Sequence, residues 1–171
     1  MNNKEIILNQ LFKKPTYKFH IRELARTTKL SPNTIINLTN ELVKDNIIHK
    51  EKRKHLVEVS LNLDNDKVIQ QKKLFNLQQI YNSEIIEFLV NEYNPQSISL
   101  IGSFSRGEDI EKSDIDIVIN TKKTTRPNIE KFQDKLQRPI QILLFSDRKK
   151  LSNEFFNNLI NGITLYGTIK L

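Results

Sequence analysis

Two aspartates two positions apart, Asp114 and Asp116, follow a loop of small residues that opens with Gly102-Ser103. Alternating with Ile115, Ile117 and Ile119, they read as a strand that projects both carboxylates from one face and the isoleucines from the other. Their spacing of ~6.5 Å along such a strand leaves them repelling each other unless a divalent cation sits beside them. Hard oxygen ligands of this kind favour magnesium carried in with substrate phosphates. The chain has only four glycines, and two of them, Gly102 and Gly107, bracket the loop that follows the apolar run 98–101. A strand entering a Gly-Ser turn and then a short helix aims backbone N–H groups and the Ser103 hydroxyl at one point, which can hold a phosphate. Arg106 either adds positive charge to that phosphate or pairs with Glu108 or Asp109.

Gly102-Ser103, ten residues and then Asp114-Ile115-Asp116 resembles the polymerase-β-like nucleotidyltransferases. Arg106-Gly107 and Ser113-Asp114-Ile115-Asp116 are similar to the minimal branch of that superfamily. The resemblance implies a small mixed sheet with flanking helices. It implies a nucleoside triphosphate bound through Gly102, Ser103 and Arg106, with Asp114 and Asp116 as the catalytic pair that holds Mg2+ with the NTP. It also implies a third carboxylate on a later strand, which completes the metal site and helps deprotonate the attacking hydroxyl. The strand expected at 140–145 carries Gln141 there, and an amide offers a carbonyl oxygen to a cation but accepts no proton. Glu108, Asp109 and Asp147 are the nearby acids, and none is at the matching position. No histidine occurs beyond His55, so a serine nucleophile has no base.

The elements that position these residues are legible from apolar periodicity. Asp64 to Asn94 reads as long helical structure, with Ser83 to Tyr93 as the helix that opens the catalytic-type domain. After the motif come a polar loop at 121–128, a short helix through Ile129, Phe132 and Leu136, and a strand over 140–145. Asp147 is expected to cap a last helix, Gly162 to stop it, and 163–165 to add an edge strand.

The first 63 residues have a different character. A helix over 3–13 ends at Pro15, a short extended segment covers 17–20, and a second helix starts at Ile21 and ends near Lys29. Ser31-Pro32 is a strong helix start, a hydroxyl N-cap followed by proline at the first helical position. The helix to about Asp45 is expected to turn Ile35, Ile36, Leu38, Leu42 and Val43 inward and Asn33, Thr34, Asn37, Glu41 and Lys44 outward. Two β-type runs, 47–50 and 56–61, are joined by Glu51-Lys52-Arg53-Lys54-His55, a basic tip. This order resembles a winged helix-turn-helix domain of prokaryotic transcriptional regulators. The resemblance implies contact with double-stranded DNA through Ser31, Asn33, Thr34 and Asn37 on the helix and Lys52, Arg53, Lys54 and His55 on the wing.

Charge supports that division. Residues 1–63 hold 12 Lys+Arg against 6 Asp+Glu, whereas 64–171 hold 15 against 14, so nearly all of the +7 net charge lies in the first third. Such asymmetry points to a polyanionic partner. The absence of cysteine excludes disulfides and thiolate chemistry. No apolar run reaches the ~20 residues of a membrane span and no signal-peptide pattern opens the chain, so a cytoplasmic protein is expected. The expected class is α+β, divided into residues 1–63 (winged helix-turn-helix), 64–82 (helical connector) and 83–171 (minimal nucleotidyltransferase-like). Two functions fit: a DNA-binding, transcription-regulating protein whose second domain binds Mg-NTP, or an active transferase targeted by its winged helix, such as an antitoxin-type enzyme moving AMP to a protein partner. The apolar connector and the helix-turn-helix pattern further suggest a homodimer.

Overall fold

The computed structural model describes residues 2–53 and 56–169. The chain forms two units, Met1–Phe75 and Asn76–Leu171, each with its own core.

The first unit begins with α1 (Asn3–Lys13), held at its start by a capping box. The Glu5 N–H donates to Asn2 Oδ1 at 2.9 Å, and Glu5 Oε2 accepts from the Asn2 N–H at 3.0 Å. A two-residue strand β1 (Phe19–His20) leads into α2 (Ile21–Thr28), whose end is turned by Lys29 in the left-handed region at φ 58°. The α3 helix (Pro32–Lys44) starts where Ser31 accepts the Thr34 N–H at 3.1 Å. The antiparallel strands β2 (Ile48–Arg53) and β3 (Leu56–Leu61) complete a sheet of order β1-β3-β2. Ile7, Leu11, Leu24, Ile35 and Val59 form its fully buried centre, and truncating one of them to Ala costs about 2–5 kcal/mol.

Two expectations for this unit are corrected. Ile36 and Val43 do not face inward; both are 39% exposed. At ~100° per residue they sit on the flank of the stripe formed by Ile35 and Leu42. The inward place goes to Thr39, fully buried with its hydroxyl donating to the Ile35 carbonyl at 2.7 Å. Glu51, Lys52 and Arg53 are not part of a tip: they extend β2 and pair with Glu58, Val57 and Leu56 of β3. Lys54 and His55, the other two basic-tip residues, lie outside the described residues.

Helix α4 (Asp66–Ser83) has residues in both units, Val68 and Phe75 in the first core and Ile80 in the second. Its helical path ends at Glu84, whose φ of 67° separates it from α5 (Ile85–Tyr93). The second unit continues with β4 (Ser97–Ile101), α6 (Gly102–Arg106), β5 (Ile115–Asn120), α7 (Glu130–Leu136), β6 (Ile140–Phe145), α8 (Asn153–Ile160) and β7 (Ile163–Gly167). The sheet order is β6-β5-β4-β7, with β5 and β6 parallel and the other pairs antiparallel, so this is a small mixed sheet. Ile115, Ile117 and Ile119 are fully buried on one face, against Ile85, Leu89 and Phe132. Val118 turns the other way, toward Ile101 and Leu159. The alternation read from the sequence is therefore a real two-faced strand.

The end of the chain departs from expectation in two details. Asp147 caps a single 3-10 turn, accepting the Lys149 N–H at 2.9 Å, and Ser152 caps α8. Leu151, extended at φ −83° and ψ 140°, breaks the helix between them. Gly162 lacks the left-handed conformation of a C-terminal stop. A Cβ there would lie 2.6 Å from the Leu100 carbonyl oxygen, so the position is set by the close approach of the chain to β4. Among the described residues no helix is long and apolar enough to cross a membrane.

Candidate functional site

The site grows out of the end of β4. Its five residues are all buried, and Ile101 is the register partner of Asp116 on β5. Gly102 then starts α6 with φ 73°. A Cβ at Gly102 would collide with the Asp116 carboxylate. Only glycine combines that backbone conformation with that contact, so the Gly-Ser turn and the second aspartate are built against each other. Ser103 follows, half-buried, and its carbonyl accepts the Glu108 N–H at 3.0 Å, which folds the loop back on α6. The Ser105 hydroxyl donates to the Gly102 carbonyl at 2.8 Å, leaving Ser103 as the hydroxyl beside the turn without an intramolecular bond among the described residues.

The loop from α6 to β5 is fixed by a buried polar cluster. Asp109, fully buried, accepts from Arg138 Nη2 at 3.2 Å and from Asn76 Nδ2 at 2.6 Å. Asn76 also donates to the Phe104 carbonyl at 2.9 Å, and Arg138 Nη1 donates to the Ile110 carbonyl. Ile110 and Ser113 close a turn, the Ile110 N–H donating to Ser113 Oγ and the Ser113 N–H to the Ile110 carbonyl, each at 3.0 Å. Asp109 is thus a structural anion. It is not a substitute for the missing third acid, because a carboxylate neutralised by a buried guanidinium is withheld from a cation. Neither Asn76 nor Arg138 was picked out by the sequence reading. The only signal was an isolated Arg-Pro before a strand, and the partners lie 29 and 33 positions from Asp109.

Asp114 stands just before β5 and Asp116 within it, both half-buried. Gln141 is the register partner of Asp116 on the parallel strand β6. Its amide Nε2 donates to Asp114 Oδ2 at 2.5 Å. Burial first, and then the charge of Asp114, push the Asp116 carboxyl above the ordinary aspartate range. No hydrogen bond or ion pair to the Asp116 carboxylate occurs among the described residues. A half-buried, unneutralised carboxylate beside a second one suits a divalent cation, and the donor set is all oxygen. Two carboxylates fit a magnesium ion that draws its other positions from phosphate and water. No cluster of three His, Cys, Asp or Glu side chains exists among the described residues, so the protein by itself offers no complete cage.

Arg106 pairs with Glu108, Nε to Oε2 at 2.7 Å, and both are half-exposed. Such a pair is worth at most about 1 kcal/mol, so it leaves the remaining guanidinium N–H groups open to a phosphate. In the first unit, Asn33 and Asn37 are exposed and Thr34 is half-buried. The Ser31 hydroxyl serves α3 itself, within 2.8 Å of the Thr34 hydroxyl. Lys52 is exposed, whereas Arg53 lies against Glu51 at 3.2 Å and Glu58 at 3.4 Å.

The chain belongs to the polymerase beta nucleotidyltransferase family, whose model matches residues 83–169. Members of that family generally use a divalent metal such as Mg2+. A protein of Methanocaldococcus jannaschii that carries the name protein adenylyltransferase is 33% identical over 84 residues, which is 47% of this chain and 84% of that relative. No solved structure matches the chain.

Proposed function

We propose that this protein is a magnesium-dependent nucleotidyltransferase that moves a nucleoside monophosphate, AMP as the first candidate, onto a hydroxyl of a protein partner. The observation that carries the reading is the seating of the Asp116 carboxylate against Gly102 with Asp114 beside it. That arrangement brings a phosphate-holding turn and an uncompensated anionic pair to one point. The relative named a protein adenylyltransferase supports a protein acceptor. In the reaction the acceptor oxygen bonds to the α-phosphorus, the bond from that phosphorus to the bridging oxygen breaks, and pyrophosphate leaves. Ser103 and the adjacent backbone would hold the phosphates, and Asp114 and Asp116 would hold the cation, which would supply charge neutralisation to the triphosphate. Gln141 keeps Asp114 in place through its amide bond but takes up no proton, so the acceptor proton passes to an aspartate or to water.

The first unit is read as a winged helix-turn-helix that binds double-stranded DNA. The element order, the β1-β3-β2 sheet, the capped α3 and the charge of residues 1–63 support that part. Gln141 favours a second reading, in which the protein is a DNA-binding transcription regulator whose transferase-like unit binds Mg-NTP without transfer. Incubation of the full chain with magnesium, α-labelled NTPs and host-cell proteins separates them. Label on protein that vanishes with Asp114→Asn and Asp116→Asn supports transfer. Nucleotide binding without label supports the regulator, and the absence of both sinks the nucleotide site altogether.

A further inference from the structure

We propose that the exposed face of α3 reads A·T base pairs in the major groove of duplex DNA. This rests on the winged-helix reading of the first unit and goes beyond it by naming the bases. Residues 31–40 contain no Asp, Glu, Lys or Arg. Its outward side chains include Asn33, Ile36 and Asn37, all exposed. Asn33 and Asn37 stand one helical turn apart on the same face, and neither amide has a hydrogen-bond partner among the described residues. An asparagine amide matches adenine, accepting from N6 and donating to N7, and an aliphatic side chain matches the thymine methyl. Guanine is read by Arg or Lys and cytosine by Asp or Glu. The first part of this face, residues 31–40, offers neither.

Cations border that face, as a polyanion requires. Arg22 and Arg26 on α2 are exposed and have no ion pair among the described residues. Together with Lys50, Ile36 and Leu56 they line a groove of about 740 Å³ between α2, α3 and the hairpin. Such groups position a duplex through its phosphates without reading its sequence. Lys50 is steadied by Asn40 Oδ1 at 2.7 Å and Thr39 Oγ1 at 3.2 Å, which makes Asn40 a holder of that cation and not a base reader. Two of the acids nearby are paired with a cation, and a third makes hydrogen bonds. Glu41 and Asp45, at the far end of α3, face Lys4 at 3.0 and 3.6 Å, and Glu23, on the groove, accepts from the Tyr17 hydroxyl and the His20 N–H.

The test uses the full-length chain and two duplexes of equal length, one with an A·T core and one with a G·C core, read by fluorescence anisotropy over a salt series. The A·T duplex should bind about tenfold or more tightly. Asn33→Ala and Asn37→Ala should each lower A·T affinity by about tenfold and leave G·C binding unchanged. Arg22→Ala with Arg26→Ala should weaken both duplexes alike and reduce the salt slope by about one per lost phosphate contact. All four side chains are exposed, and circular dichroism verifies that each variant is folded. Equal affinity for the two duplexes overturns base reading while leaving DNA binding intact. Failure of the unmodified chain to bind either duplex overturns the winged-helix reading as well.

Discussion

Replacing Asp116 by Asn should make the protein more stable and inactive at once. The substitution keeps the shape of the side chain over Gly102 and removes one of two like charges. At ~6.5 Å between alternate strand positions, Coulomb's law gives about 1–2.5 kcal/mol of repulsion for an effective dielectric of about 20–40. Both carboxylates are half-exposed, and solvent screening reduces this to about 1 kcal/mol. That corresponds to roughly 4–8 °C in the melting temperature of a domain near 100 residues. The direction follows from linkage. The folded-state pKa of Asp116 is raised above its ordinary value of 3.8, so the folded protein holds a proton that the unfolded chain has already released. Stability from this group is therefore present below that ordinary value and lost as pH rises through the raised one. The variant should exceed the unmodified protein at pH 7, and the difference should shrink on acidification. Calorimetric melts across pH measure it, and Mg-ATP supplies the second arm. At a hundred times its dissociation constant the ligand should stabilise the unmodified protein by about 2.7 kcal/mol and the variant not at all. A folded variant that melts at or below the unmodified protein at neutral pH, or one that still binds Mg-ATP, would refute the reasoning.

Gln141→Asp should place a third carboxylate at the register partner of Asp116, tightening magnesium binding and raising transfer through a new proton acceptor; calorimetry and a labelled-transfer assay check both. The same change should lower the melting point without ligand, because it removes the amide bond to Asp114 and adds negative charge. Arg138→Ala should destabilise the second unit by about 3–5 kcal/mol, since it removes the guanidinium that a buried Asp109 pairs with; a denaturant titration measures the loss. We also propose a homodimer, because Leu74 on α4 is 66% exposed. Sedimentation should give about twice 20.1 kDa, and Leu74→Glu should return the mass to that of one chain.

Local rules in the sequence determined much of this protein. The capped start of α3 at Ser31-Pro32, the alternation of Ile115, Ile117 and Ile119 with the aspartates, and the glycine at the end of β4 each follow from one short window and one steric or hydrogen-bonding rule. Nearest-neighbour chemistry suffices there, so the turn at Gly102-Ser103 and the strand at Asp114/Asp116 were legible. Tertiary structure decided what depends on residues far apart in the chain. Thr39 rather than Ile36 points into the first core because the helix is rotated by what packs on both sides of it, which a one-dimensional pattern leaves open by ~100°. Gly162 reads as a helix stop until β4 is seen to leave no room for a side chain. Asp109 reads as a spare acid until Arg138 and Asn76 close over it. In each case the deciding atoms come from another element, brought within hydrogen-bonding or van der Waals reach by the core, and no window of sequence contains both partners.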